Sequence, residues 1–484
     1  MLRGENCFLF ANDAPDTLLD PMKTPIYLYS RQFMMLLLVL SSIHCSCAVW
    51  AQTYSLQPTD SPLRQQVDVT IDVVGSVKMK SARFGVVDQH VKVEGKQSYE
   101  QWLSFQRATE LCRAIRYYSL VDSKVSIGEG QVSPQLRKNR KLIVDQYQRQ
   151  QHRLYSPQGK LTRDELDLID VQLSPTIFYQ LLPKGPVERG DQWEIQTADL
   201  SALLALDAVA QTDVQATLTR VENQQAHIEC TGSVGGGVNG VLTQIDLKLT
   251  AQYELQTRSF TRVKLIMSER REIGHAKPGL DVQATIEVVT SQTESFATLT
   301  DSIISKCNRG VTSSDEMLEF VPLANGIELE LNRDWHVMLD QPELLVMRQV
   351  MRGDLIAQCS LSRLQPLSDQ RRMNVELLKQ QIQKSLGDQL AEFTETRQQM
   401  LHGKYPLTYV SAIGVVGEVT FQWAYHHVTD SSGNQYVFVF TIPNDKVTQF
   451  EQQDRTIVES FTFRAEKSGK QPVPASAATS TTKR

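Results

Sequence analysis

The 484-residue chain is poor in cysteine, with seven in all, and three of these (Cys7, Cys45 and Cys47) precede residue 52. The remaining four, Cys112, Cys230, Cys307 and Cys359, are far apart, and no CxxC occurs. That excludes a zinc ribbon, a thioredoxin-type dithiol and a disulfide framework. Cys230 shares a strand face with Ala226 and Ile228, and Cys359 with Leu355, Ala357 and Leu361, so both read as small buried hydrophobes. An excess of either charge is also lacking. Residues 1–51 hold three basic and four acidic groups, which leaves 47 against 51 in the body. Such a near-neutral body argues against a nucleic-acid partner, which needs a broad basic footprint. Long apolar runs are missing as well. The longest, Phe33–Ile43, has 11 residues, where a spanning helix needs about 20.

That short run has the layout of a signal peptide, with Arg31 before it and the small residues Ser46, Ala48 and Ala51 after it. Export is therefore expected, to the periplasm or beyond. Cleavage is expected near Ala51, giving a mature start at Gln52 or, as the alternative, at Val49. Met22-Lys23 would open a better signal than Met1 does.

The chain then divides into a leader (residues 1–51), a β-rich domain (54–300), a polar linker (301–319), a second domain (320–464) and a tail (465–484). The tail is rich in Ser, Thr, Ala, Pro and Lys, and cannot bury enough surface to offset its ordering entropy.

The first body alternates with period two, as in Val67, Val69, Ile71 and Val73, or Ile245, Leu247, Leu249, Ala251 and Tyr253. Val263, Leu265 and Met267 repeat this, and so do Val282, Ala284, Ile286 and Val288. One apolar and one polar face predict an antiparallel sheet packed on a single side. Three short helices are expected. Thr162-Arg-Asp-Glu165 is a capping box that opens Leu161–Ile169. Ser174-Pro175 offers an N-cap and a first-turn proline for Thr176–Leu182, and Ala198–Leu206 is the third. The fold class expected is α+β, with an N-terminal antiparallel half-barrel. If the helices cover its apolar face fully, that face is an ordinary core. If they cover it partly, a ligand cavity remains, lined by Ile245, Leu247, Leu249, Tyr253, Val263, Leu265, Met267 and Ile286.

The second body carries strands around Ile327–Leu331, Leu344–Met351, Leu355–Leu364, Leu407–Val415, Val419–Val428 and Tyr436–Ile442. A helix with Met373, Leu377, Leu378, Ile382 and Leu386 on one stripe lies between them, and a final helix places Val447, Phe450, Ile457 and Phe461 inward. Tyr436–Ile442 is apolar on both faces and predicts a central strand covered on both sides. The sum is a C-terminal α/β/α sandwich around an antiparallel sheet.

The order Trp335, hairpin, helix, strands, then FVFTIPNDKVTQFEQQDRTIVESFTF resembles the PsbP/Mog-like fold over about 140 residues. LTRDELDLIDV at Leu161–Val171 and LPKGPVERGDQW at Leu182–Trp193 resemble secreted bacterial proteins of unknown function. The half-barrel expected for the first body is similar in architecture to the LolA-like carriers, which hold acyl chains in such a concavity. Neither resemblance supplies catalytic residues.

Chemistry-bearing motifs are few. HExxH, an EF-hand loop, GxSxG and GxxxxGK[ST] are absent. Adjacent His426 and His427 point to opposite faces of a strand and cannot share one ion. Ser233–Gly240 is Gly-rich without preceding a helix, and reads as a flexible strand connection. Arg352-Gly353-Asp354 reads as a hairpin turn. Arg137, Lys138, Arg140 and Lys141 place four positive charges in five residues, either as a solvated turn or as a contact for an anionic headgroup. No cofactor is expected and no enzyme activity. Two functions are carried forward: binding of an apolar or lipid ligand by the first body, and a structural or protein-interaction role in the cell envelope.

Overall fold

A computed structural model describes residues 52–81, 85–106, 109–323, 326–365, 373–430 and 432–463. The expected signal peptide and the expected disordered tail lie outside these residues.

The first body is built on one thirteen-stranded antiparallel sheet. Its strands are β1 (Leu63–Ser81), β2 (Gly85–Gln106), β3 (Leu111–Ile127), β4 (Gly130–Val132), β5 (Leu142–Gln148), β6 (Gln151–Tyr155), β7 (Gln192–Glu194), β8 (Ala208–Thr212), β9 (Gln215–Glu222), β10 (Gln225–Val238), β11 (Val241–Glu254), β12 (Ser259–Arg271) and β13 (Gly279–Gln292). The order is β6-β5-β3-β2-β1-β13-β12-β11-β10-β9-β7, with β4 on β3 and β8 on β10. The first and last long strands, β1 and β13, thus meet in the middle. The end strands β6 and β7 do not pair, so the sheet is not a closed barrel.

Register aligns the apolar face. Cys230, Leu249, Leu265, Ile286 and Ile71 are successive cross-strand partners from β10 to β1. The helices α1 (Arg163–Ile169), α2 (Pro175–Phe178) and α3 (Thr197–Leu204) contribute Leu166, Ile169, Ile177, Phe178, Leu200 and Leu203 to the same core. The capping box of Thr162 and Glu165 is formed, and the Ser174 side chain caps α2. α2 is shorter than the sequence suggests, because a 3-10 turn at Tyr179–Leu181 follows it. The Gly-rich stretch is strand rather than a flexible connection. β10 runs through it because β8 approaches so closely that a Cβ on Gly236 would meet the Ala208 carbonyl oxygen at 2.4 Å.

The segment expected to be a linker contains regular structure. It holds helix α4 (Asp301–Cys307), whose Ile304 and Cys307 are buried with Ile115, Leu142 and Tyr155 of the first body. All four described cysteines are free and buried.

The second body follows with β14 (Leu318–Phe320), β15 (Ile327–Leu331), β16 (Trp335–Asp340), β17 (Leu344–Met351), β18 (Asp354–Leu364), helix α5 (Val375–Leu386), β19 (Leu390–Leu401), β20 (Tyr405–Val416), β21 (Val419–Thr429), β22 (Gln435–Pro443), helices α6 (Val447–Phe450) and α7 (Gln453–Ser460), and β23 (Thr462–Phe463). Seven strands form an antiparallel sheet in the order β16-β17-β18-β22-β21-β20-β19. α5 packs Leu378 and Ile382 against Val410, Trp423 and Tyr425 on one face. Phe450, Ile457 and Val458 of α6 and α7 pack with Phe438 and Phe440 on the other. β22 is central, between β18 and β21. The final helix is two, because Glu451 and Gln452 adopt positive φ (49° and 58°). His426 and His427 are buried on opposite faces, with Nε2 of each 2.8 Å from Asp454 Oδ2 and Gln435 Oε1, respectively.

The two bodies touch through named contacts. Arg163 donates to the Arg333 carbonyl at 2.5 Å, Lys160 pairs with Glu330, and Arg333 donates to the Leu154 carbonyl. The turn Arg352-Gly353-Asp354 meets the β10–β11 turn so tightly that a Cβ on Gly240 would lie 2.1 Å from the Gly353 Cα. Among the described residues, no helix is long and apolar enough to cross a membrane.

Candidate functional site

The sheet leaves two open ends, and residues from both line one cleft of about 1110 Å³. Its base is apolar. Phe105 closes β2, Leu111 and Cys112 open β3, Tyr179 and Leu182 come from the turn after α2, and Trp193 from β7. These rings are fixed. Phe105 and Tyr179 meet edge-on, with centroids 4.4 Å apart. Tyr179 packs further on Phe260 at 5.1 Å, and the Trp193 indole N–H donates to the Leu181 carbonyl at 2.9 Å.

Charge gathers at the rim. Glu110, Glu194 and Asp213 are exposed, as are Arg149 and Lys184. Asp199 of α3 sits deeper and accepts a hydrogen bond from the Tyr147 hydroxyl at 2.8 Å. Burial raises the Asp199 carboxyl pKa, against the opposing effects of that hydrogen bond and of Lys184. Burial and the adjacent Asp199 carboxylate push the Tyr147 hydroxyl well up. The Cys112 thiol is likewise raised by burial, which keeps it protonated and a poor nucleophile.

Behind the base lies a buried polar network. Arg116 and Asp145 pair at 2.6 Å, with side chains 3% and 0% exposed. Asp145 also accepts from Ser174 (2.6 Å) and Thr176 (2.8 Å) and faces His152 Nε2 at 2.9 Å. Because Ser174 caps α2, this network fixes the start of the helix whose continuation supplies Tyr179.

The residues expected to line a cavity lie elsewhere. Ile245, Leu247, Leu249, Tyr253, Val263, Leu265, Met267 and Ile286 are at most 7% exposed in the main core, and none borders the cleft. Helices α1 to α3 and Leu56 pack in that core with them. The basic cluster does not reach the cleft either. Arg137 binds both oxygens of Glu165 and one of Glu319. Arg140 donates to the carbonyls of Lys160 and Gln158, Lys141 to that of Ser119, and Lys138 is exposed. The cleft's rings escape sequence reasoning because they sit at strand ends and in turns, where no periodicity marks them, and Asp199 because a carboxylate in the first turn of a helix is ordinary. Among the described residues, no group of three or more His, Cys, Asp or Glu is placed to hold a metal ion.

No family model and no curated protein matches the chain. Solved structures offer weak likenesses. Cyanobacterial PsbP (CyanoP) from Synechocystis sp. PCC 6803 is 15% identical, with 32% of this chain and 97% of that one covered, at a TM-score of 0.26. A lipovitellin structure concerned with lipid–protein interactions is 8% identical over 50% of this chain, at a TM-score of 0.28. The match spans about a quarter (26%) of the lipovitellin chain. The translocator domain of the autotransporter NalP from Neisseria meningitidis is 6% identical over 78% of this chain and 86% of that one, at a TM-score of 0.12. At these scores none of the three decides fold or function.

Proposed function

We propose that the chain is a non-catalytic binding protein that holds an amphipathic small molecule in the cleft of its first body. The observation that supports this reading is the cleft itself. Its volume of about 1110 Å³ is just above the usual range of small-ligand sites, about 300–1,000 Å³, and an apolar, ring-lined base under a charged rim suits a ligand with one apolar and one polar end. The reading takes the first sheet as a half-barrel and the second body as an α/β/α sandwich of the PsbP type, with residues 54–300 and 320–464 as separate domains. It also takes the leader as a signal peptide removed near Ala51, so that the cleft works outside the cytoplasm. Fold alone assigns no function, so the weight rests on the cleft.

The test is titration of the purified protein with Nile red, an uncharged dye that brightens in apolar surroundings. One saturable site is expected. Gln215→Trp, an exposed rim position, should block it and lower affinity at least about tenfold with an unchanged melting temperature. Absence of saturable binding, with no small molecule in an extract of the native protein, would reject the reading. A structural or protein-interaction role would then remain.

A further inference from the structure

The charge balance of the cleft does not favour an anionic headgroup, one of the two readings carried for the basic cluster. Its described lining residues include four carboxylates, Glu110, Glu194, Asp199 and Asp213, against two cations, Arg149 and Lys184. The cations are long, exposed side chains at the rim, and an ammonium at Asp199 would compete with Lys184, whose charge already acts on that carboxyl. Asp199 is the deepest of the charged groups, and it is held in place by the Tyr147 hydroxyl at 2.8 Å. Four aromatic side chains, Phe105, Tyr147, Tyr179 and Trp193, line the same cleft, and Tyr147 touches Asp199. Ring faces carry negative potential and attract a cation most where water is partly excluded. Carboxylates and ring faces therefore act in the same direction. An anion would meet three carboxylates against two cations at the rim, and Asp199 and the rings beneath.

Resting on the binding function proposed above, we infer that the polar end of the ligand is an organic cation, an ammonium group carried on an apolar body. The apolar body lies on Leu111, Leu182 and Ile195, and the ammonium sits between Asp199 and the ring faces. Trp193 and Phe105 need not move to receive it, because both are already fixed by their contacts with Leu181 and Tyr179.

The experiment compares three probes of one chain length by calorimetry on the full protein: dodecyltrimethylammonium and dodecanoate, each below its micelle concentration, and dodecanol, below its solubility limit. A shared tail makes the apolar contribution common to all three. The ammonium is expected to bind at least about tenfold more tightly than dodecanoate, with dodecanol between. Asp199→Asn should reduce the ammonium affinity several-fold and leave dodecanol unchanged. Asp122→Asn, an equal charge change on exposed strand surface away from the cleft, should alter neither. Dodecanoate binding as tightly as the ammonium would overturn the headgroup inference and leave the cleft reading standing. A loss of ammonium binding in Asp122→Asn equal to that in Asp199→Asn would also overturn it, by showing general attraction to an acidic surface. If none of the three probes saturates, both inferences fall.

Discussion

Removing the Asp145 carboxylate should be among the most damaging single changes in the first body. Asp145 is fully buried, as is most of Arg116, and the two pair at 2.6 Å. In Asp145→Ala the Arg116 guanidinium stays behind, under the Tyr99 ring (5.1 Å), with the neutral side-chain oxygens of Gln101 and Ser174 as acceptors at 2.9 Å each. The hydroxyls of Ser174 and Thr176 lose their acceptor at the same time. Breaking a buried pair on one side costs about 3–5 kcal/mol, because an uncompensated charge is left in a low-dielectric site. That is a large share of the roughly 5–15 kcal/mol that stabilises a typical domain. With about 2–4 °C lost per kcal/mol in a body of this size, the first transition should fall by about 6–20 °C in scanning calorimetry at one fixed scan rate. Asp145→Asn keeps the volume and one acceptor oxygen, so it belongs at the low end. His152 adds a pH signature. Burial alone would lower its pKa, but the charge and hydrogen bond of Asp145, with Asp170, outweigh burial and raise it. Its stabilisation is therefore complete below the unfolded value of about 6.5 and is lost as pH rises through the folded value. Asp145 is opposite in sense. Its pKa is strongly depressed, against the cost of burial, by Arg116 and His152, so its contribution is present above about pH 4 and fades in acid. His152→Gln should flatten the fall in melting temperature between pH 6 and 8. A shift of less than about 2 °C for Asp145→Ala would refute the reasoning, since it would mean that water or a rearranged partner reaches Arg116 easily.

Three further outcomes are expected. Gly353→Ala should lower the melting temperature and speed proteolysis between the two bodies, because φ is +92° there and the new Cβ would lie 2.5 Å from the Gly240 Cα; an unchanged digestion pattern would argue against this packing. Trp335→Ala and Phe440→Ala should each cost about 3–5 kcal/mol in denaturant unfolding of the second body, since the two rings are at most 2% exposed and pack edge-on at 6.1 Å. His336 is pushed down to about 4 by burial and by Lys277 and Arg163, so the unfolded chain takes up its proton first as pH falls below about 6.5; stability should drop from there toward pH 4, and His336→Gln should lessen that drop in acid melts.

What the sequence makes legible here is whatever repeats along one strand or helix. β11 alternates strictly, and Ile245, Leu247, Leu249, Ala251 and Tyr253 all point into the core. The Thr162–Glu165 box and the Ser174-Pro175 start form as local chemistry dictates, because each is closed by neighbours within three residues. Where the pattern fails to show, a buried polar group is usually the reason. β2 and β3 place Gln97, Gln101, Arg113 and Arg116 in the interior, so their alternation does not read as apolar against polar. β19 is hidden for the opposite cause: as an edge strand it is exposed along most of its length, and only Phe393 and Leu401 reach the core. The basic cluster shows a third limit. Its charges are visible in the chain, but the partners that occupy Arg137, Glu165 and Glu319, lie 28 and 182 residues away.

The cleft depends on sheet order, which is a more distant property still. Tyr147 of β5 and Trp193 of β7 come near the same space only because β1 and β13 pair at the centre and leave the two short arms unpaired at the ends. Periodicity cannot specify that pairing, since a period of two fixes which face a residue takes and not which strand lies beside it. The same topology explains why the apolar face and the cleft are different places. The centre of the sheet is long and strictly patterned, and it is sealed by α1 to α3. The arms are short and end in turns, so what they enclose is lined by mixed side chains: four carboxylates, two cations, four aromatic rings, six glutamines and a few aliphatic groups. A site of that composition can discriminate among ligands by charge, as a uniformly apolar concavity cannot. Binding selectivity here should therefore reside in the headgroup more than in tail length.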